Sequence, residues 1–245
     1  MHNPGAIRER LSQPPKRSHL RDFIYGGIDG AVTIFAVVAG VAGAGLSATV
    51  VIILGVANLI ADGFSMAVSN YVATRAELQQ RVLARADEER EVRDFPEGER
   101  EEIRQIFSLK GFSGQQLDRV GEVISADPRV WVDIMMVEER GYSVAREEPL
   151  RAAGATLVAF VLVGFIPLFP SILDTVFPST LEQPFVWSSV MTGIAFFVVG
   201  ALKSRFGARR WWLSALETLG MVERLKRSLT PSAPFSETWS VDGAR

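Results

Sequence analysis

At 245 residues, 48% of them hydrophobic and with a formal net charge of −2, the chain makes no electrostatic case for a nucleic-acid partner. It has no cysteine, which excludes disulfides and thiolate metal sites. Its two histidines, His2 and His19, lie in the N-terminal leader, so a metal site elsewhere must use carboxylates, carbonyls, amides or methionine sulfur.

The charge is segregated. Residues 75–148 hold 18 acids against 12 Lys and Arg, while the remainder holds 10 acids and 14 bases around long uncharged stretches. Since about 20 apolar residues cross a bilayer as a helix, the pattern predicts an all-α, multi-pass membrane bundle with an acidic, water-facing helical unit in its middle.

In chain order, residues 1–22 form a basic, polar leader with no apolar core, unlike a cleavable signal peptide. A first span covers 23–45, with Asp29 as its only charge, and "GAGLSA" turns the chain into a second, 47–73, with Asp62 as its only charge. No Gly or Pro interrupts residues 72–92, which predicts one long helix running from the membrane into water. "DFPEGE" is the first break, with Asp94 as a cap and Pro96 in the first turn of a helix over 97–109. "SGQQ" has the capping-box pattern and opens a helix to 126. "DP" at 127–128 opens another, ending at Gly141. The acidic unit thus occupies 74–150.

Within 151–203, a third span, 152–173, is interrupted by Pro167 and Pro170, and a fourth covers 185–202. Lys and Arg precede the first span and follow the fourth, and are missing from the two short loops opposite, which places the N-terminus and the acidic unit in the cytoplasm. In 204–230, Trp212, Leu216, Leu219, Val222, Leu225 and Leu229 recur at helical spacing opposite charged residues, predicting an amphipathic, degenerate fifth helix. Residues 231–245 read as a disordered tail.

Two groups of residues carry chemistry. In the second span Asn58, Asp62, Ser65, Met66 and Ser69 share one helical face. Asn and Ser there are commonly interhelical hydrogen-bonders and Met a filler. Asp29 and Asp62 are different, because a mid-membrane carboxylate costs at least ~2.5 kcal/mol, and such acids usually serve an ion or proton pathway. Small residues (the Gly26/Gly30 pair, and Ala57, Ala61, Ser65, Ser69 and Ala73 at every fourth position) predict close helix packing, including across a dimer axis.

In the acidic unit, nine acids lie between Asp87 and Glu102. Interspersed Arg85, Arg90, Arg93 and Arg100 fit a merely solvated face. However, Glu88 and Glu91 are three apart on one helix, Glu99 and Glu102 on the next, and a turn at Pro96 can bring the pairs together as in carboxylate-bridged metal centres. The following helix offers Met135, Met136 and Glu139, and thioether beside carboxylate shifts preference toward softer ions such as Fe(II). No nucleophile–base arrangement suggests an enzyme.

Five stretches carry a resemblance in family order: "RDFIYGGIDGAVTIFAVVAG", "ANLIADGFSMAVSNYVATRAE", "EEIRQIF", "DPRVWVDIMMVEE" and "ALKSRFGARRWWLSALETL". Together they make the chain resemble the vacuolar iron transporter family. The resemblance implies a homodimer of five-helix protomers moving Fe(II), and in many members Mn(II), out of the cytoplasm in exchange for protons. It matches Asp29 and Met66 to the membrane ion path, and Glu88, Glu91, Glu99, Glu102, Met135, Met136 and Glu139 to the metal-binding positions of the cytoplasmic domain. Two departures stand out. Asn58 replaces a second-helix glutamate, with Asp62 one turn later, and after "WWLSALETLG" an apolar fifth span gives way to charged sequence.

The expectation is therefore a transporter of Fe(II) or Mn(II) with no tightly bound cofactor, in a bilayer (a bacterial plasma membrane by first choice) and paired with a second copy. The alternatives are a membrane-tethered metal buffer or sensor whose C-terminal region prevents transport, and an acidic unit that docks a protein and binds no metal.

Overall fold

The computed structural model describes residues 3–12, 18–143, 148–178 and 180–203; the expected fifth helix and tail lie outside them. The described residues form eight helices: α1 Pro4–Ser12, α2 Leu20–Gly43, α3 Ala48–Asp94, α4 Pro96–Leu109, α5 Gly114–Ser125, α6 Pro128–Glu138, α7 Pro149–Val176 and α8 Pro184–Lys203. Four are long and apolar enough to cross a membrane: α2, α3, α7 and Pro184–Ala201 of α8. The chain divides into two compact units. One holds residues 20–67 with the chain from 154 onward, the other residues 1–19 with 68–153.

In the first unit, Ile34, Val38 and Val41 of α2 pack with Val51 and Leu59 of α3 and with Phe160 and Leu168 of α7. A second cluster joins Ile24 and Ala31 of α2 to Val163 of α7 and Ala195, Phe196 and Val199 of α8. The α2–α3 turn is set by Gly45 at φ +66, a conformation costly for any residue with a Cβ. There Gly45 N–H donates to Ala42 O at 3.0 Å and Leu46 N–H to Val41 O at 3.1 Å, closing α2 with a Schellman motif.

Gly26 and Gly30 are spent inside the chain. A Cβ on Gly26 would run into the backbone carbonyl of Thr156, and one on Gly30 into that of Phe160, so this pair seats α2 against α7 rather than a second copy. Backbone cannot step aside as a side-chain tip can. Gly30→Ala should therefore destabilise the bundle by about 1–3 kcal/mol. Gly40→Ala, where a Cβ meets nothing within 4 Å, should be neutral or slightly stabilising through helix propensity. Thermal unfolding in detergent distinguishes the two.

The expected interruption at Pro167 and Pro170 is not found, since both lie inside continuous α7. Each proline removes one helical N–H, but the surroundings hold the turn. Leu168 is fully buried, and the buried Ser188 hydroxyl donates to the Pro167 carbonyl at 2.6 Å. That bond ties this turn of α7 to α8, while the carbonyls the two prolines leave without a helical donor are those of Val163 and Ile166.

The second unit gathers around Ile103, Trp131, Val132, Met135 and Met136, with Val92 of α3 and Ile124 of α5. Its helix ends follow the sequence in part. The Asp127 carboxylate accepts from Arg129 N–H at 2.9 Å and caps α6. Pro96 opens α4, but Phe95 holds the cap position without a side-chain bond, while Asp94 remains the last residue of α3. Ser113 caps α5 in extended geometry, yet its side chain makes no capping bond; Gly114 at φ +55 distorts the first turn that the capping box needs. Past the end of α4 at Leu109, Gly111 (φ +95) closes the helix, with Phe112 N–H donating to Phe107 O and the two rings 5.7 Å apart, the apolar contact that accompanies such a cap. Exposed pairs such as Arg85–Asp133 and Arg104–Asp118 link neighbouring helices and are each worth at most about 1 kcal/mol.

Candidate metal centre

α3 continues to Asp94, so Glu88 and Glu91 stand one turn apart near its end, and Pro96 restarts the chain as α4 with Glu99 in its first turn. The result brings carboxylates from sequence-distant turns together. Glu88, Glu91 and Glu99 each offer one oxygen, all within 4.8 Å of one another. Glu88 is fully buried and Glu99 is 6% exposed, whereas Glu91 is half-exposed. Glu102 and Glu139 are exposed, and their charges act on the same cluster.

Repulsion inside this group is visible in its chemistry. Burial, then the charges of Glu88 and Glu102, push the Glu99 carboxyl up to about 8. Glu139 is also raised, by burial and by Glu88, with Arg140 opposing. Glu88 Oε1 and Glu99 Oε2 are buried and find no hydrogen-bond donor among the described residues. Two facing carboxylates are acceptors only, and contact between them needs a proton or a metal ion in the gap. The donor set is all oxygen, with Glu91 reaching solvent, and it suits a hard or borderline divalent cation.

One partner was not anticipated. Arg140, just beyond α6, donates from Nε to Glu88 Oε2 at 2.7 Å and from its terminal nitrogen to Glu91 Oε2 at 2.5 Å. The only sequence signal was an arginine following Glu139, which in an acidic unit reads as an ordinary counter-charge.

Met135 and Met136 are fully or almost fully buried, in the apolar cluster with Ile103 and Trp131. The carboxylates gather independently of them, and both methionines act at least as core.

A pH effect follows from Glu99. Its folded pKa exceeds the ordinary 4.5, so the folded unit holds this proton more tightly than the unfolded chain does. The contribution is complete below 4.5 and lost as pH rises toward about 8. Metal-free protein should therefore melt at a lower temperature at pH 8.5 than at pH 6, and Glu99→Gln should flatten that loss. Calorimetry with chelator present measures both.

In the other unit, Asn58, Asp62 and Met66 of α3 are partly buried on one face, Met66 against the Ile34–Phe160 cluster. Asp29 is exposed among the described residues, and the Asp62 carboxylate is near enough to act on it electrostatically. Ala57, Ala61, Ser65, Ser69 and Ala73 are all exposed, so this stripe of small residues, unlike Gly26 and Gly30, is not covered by the described residues.

Comparison with known proteins adds a family. Residues 20–222 match the VIT family. The chain is 30% identical over 225 residues to the vacuolar iron transporter of Plasmodium berghei (strain Anka), covering 89% of this chain and 81% of that protein. It is 33% identical over 202 residues to vacuolar iron transporter 1 of Arabidopsis thaliana, covering 81% and 78% respectively. To vacuolar iron transporter 2 of Oryza sativa subsp. japonica it is 31% identical over 202 residues, covering 81% and 80%.

Proposed function

Since the chain belongs to the VIT family, we propose that it is a membrane transporter moving Fe(II), Mn(II) or both out of the cytoplasm in exchange for protons. The observation that carries this reading is the convergence of Glu88, Glu91 and Glu99 with two buried, donorless oxygens, in a chain with four membrane-capable helices. Glu88, Glu91, Glu99, Glu102 and Glu139 capture a hydrated divalent ion on the cytoplasmic side and raise its local concentration. Met135 and Met136 supply a sulfur to a softer ion if α6 shifts to expose one. In the membrane, Asp29 and Met66 replace part of the hydration shell. Asn58 does not titrate, so Asp62, one turn along the same face, is the acid available beside Asp29 for proton coupling.

The exposed small-residue stripe of α3 supports pairing with a second copy of the chain. The sequence expectation of a bacterial plasma membrane gains no support from the reported relatives, whose names carry the word vacuolar.

A second reading, a membrane-tethered metal buffer, is favoured by one observation: the family match stops at residue 222, and the charged stretch "ERLKR" follows at once. Proteoliposomes loaded with a metal-sensitive dye separate the readings. The transporter gives Fe(II) or Mn(II) flux that grows when protons are driven the opposite way. Binding without flux under either gradient sinks the transporter and leaves the buffer. If Glu88, Glu91, Glu99 and Glu102 changed together to alanine leave metal affinity unaltered, the reading of the acidic unit as a docking surface gains.

A further inference from the structure

The cluster holds a cation of the chain's own, the covalently tethered guanidinium of Arg140. The guanidinium of Arg140 engages Glu88 Oε2 and Glu91 Oε2 at 2.7 and 2.5 Å, with Glu139 Oε2 at 4.0 Å from its Nε. Glu88 and Glu91 are two of the three acids whose oxygens come within 4.8 Å. A guanidinium bonded to two of the three carboxylates opposes a metal ion at the same group, because it takes up part of their negative charge and sets its own positive charge beside the ion. Arginine also cannot give up its charge to make room.

Its anchoring fits a side chain that withdraws while its backbone stays. Arg140 N–H donates to Met135 O at 3.2 Å, Tyr142 N–H to Met136 O at 2.9 Å, and Gly141 turns the chain between them at φ +70. Both acceptor residues are buried in the core, so the Arg140 backbone is held at the edge of the cluster. The side chain itself is 25% exposed, against none for Glu88, and has a route to water. Glu88 Oε1 and Glu99 Oε2, fully buried or nearly so, still lack a donor among the described residues, so Arg140 satisfies only part of what the carboxylates demand.

We propose that Arg140 is a tethered competitor that sets the metal affinity of this site. It pairs with Glu88 and Glu91 when no ion is bound, swings toward solvent when a divalent ion takes up those carboxylates, and returns as the ion leaves. Three converging carboxylates alone would favour retention, whereas a returning guanidinium favours hand-on. This inference rests on the reading of the cluster as a metal site.

The test is calorimetric titration of the full chain in detergent with Mn(II), at fixed pH and salt, for wild type, Arg140→Gln and Arg140→Lys. Charge-assisted hydrogen bonds that need no longer be broken should tighten Mn(II) binding by R140Q roughly ten- to a hundred-fold. R140K keeps the charge but loses the two-pronged fork, and should bind a few-fold more tightly than wild type. A purely structural staple between α6 and α3 predicts the reverse. If R140Q, or R140K should R140Q not fold, binds Mn(II) equally or more weakly than wild type, the competitor role is overturned while the metal site stands. If neither wild type nor variants bind Mn(II), the metal reading itself falls, and this inference with it.

Discussion

Asp29→Asn is expected to lower metal flux to that of protein-free liposomes while leaving Mn(II) binding by the acidic unit unchanged. The substitution keeps the shape of the side chain and its hydrogen-bonding capacity, and removes only the charge. In a medium where a single carboxylate costs at least ~2.5 kcal/mol, a dehydrated divalent ion needs formal negative charge beside it more than it needs oxygen atoms. Met66 and Asn58 supply none, and Asp62 alone halves what the aspartate pair offers. Asp29 sits in the unit formed by residues 20–67 and 154 onward, and all the clustered glutamates lie in the other. Binding and flux should therefore separate cleanly. Equal flux in wild type and D29N would remove Asp29 from the pathway.

Glu88→Gln carries the second large effect, a loss of metal affinity of at least about a hundredfold. Changing groups that merely orient a ligand already costs about 10–100-fold, and Glu88 is itself the fully buried member of the cluster. The fold should survive. A glutamine still offers Arg140 a carbonyl acceptor, and losing the Glu88 charge relieves Glu99, which that charge helps to push upward. Glu101→Gln is the matched control: Glu101 is exposed and bonded only along α4 and to Arg104, and should leave affinity unaltered. Titration with Mn(II) alongside thermal unfolding reads both quantities. Equal affinities for wild type and E88Q would place the ion, if any, elsewhere on the acidic surface.

The two predictions differ in how they were reached. Asp29 was legible from the sequence, because an acid in an uncharged run is conspicuous whatever surrounds it. The importance of Glu88 over Glu91, Glu102 or Glu101 was not, since all are glutamates at helical spacing in one acidic stretch. Only burial separates them, and burial depends on how α4 and α6 close over the end of α3. The same holds for Arg140, whose partners lie 52 and 49 residues away along the chain.

What the sequence by itself determined was whatever depends on near neighbours. Hydropathy marked four helices able to cross a membrane, missing Gly and Pro marked the uninterrupted length of α3, and Asp127 and Pro96 marked two helix starts. What only the tertiary structure decided was who faces whom. It turned Gly26 and Gly30 inward to the carbonyls of α7, left the Ala57–Ala73 stripe outward, and kept α7 whole across two prolines. It also buried two glutamates against each other with an arginine at their side. Periodicity fixes which residues share a helical face, but contact between faces is a property of packing across the chain, and there the chemistry of this protein resides.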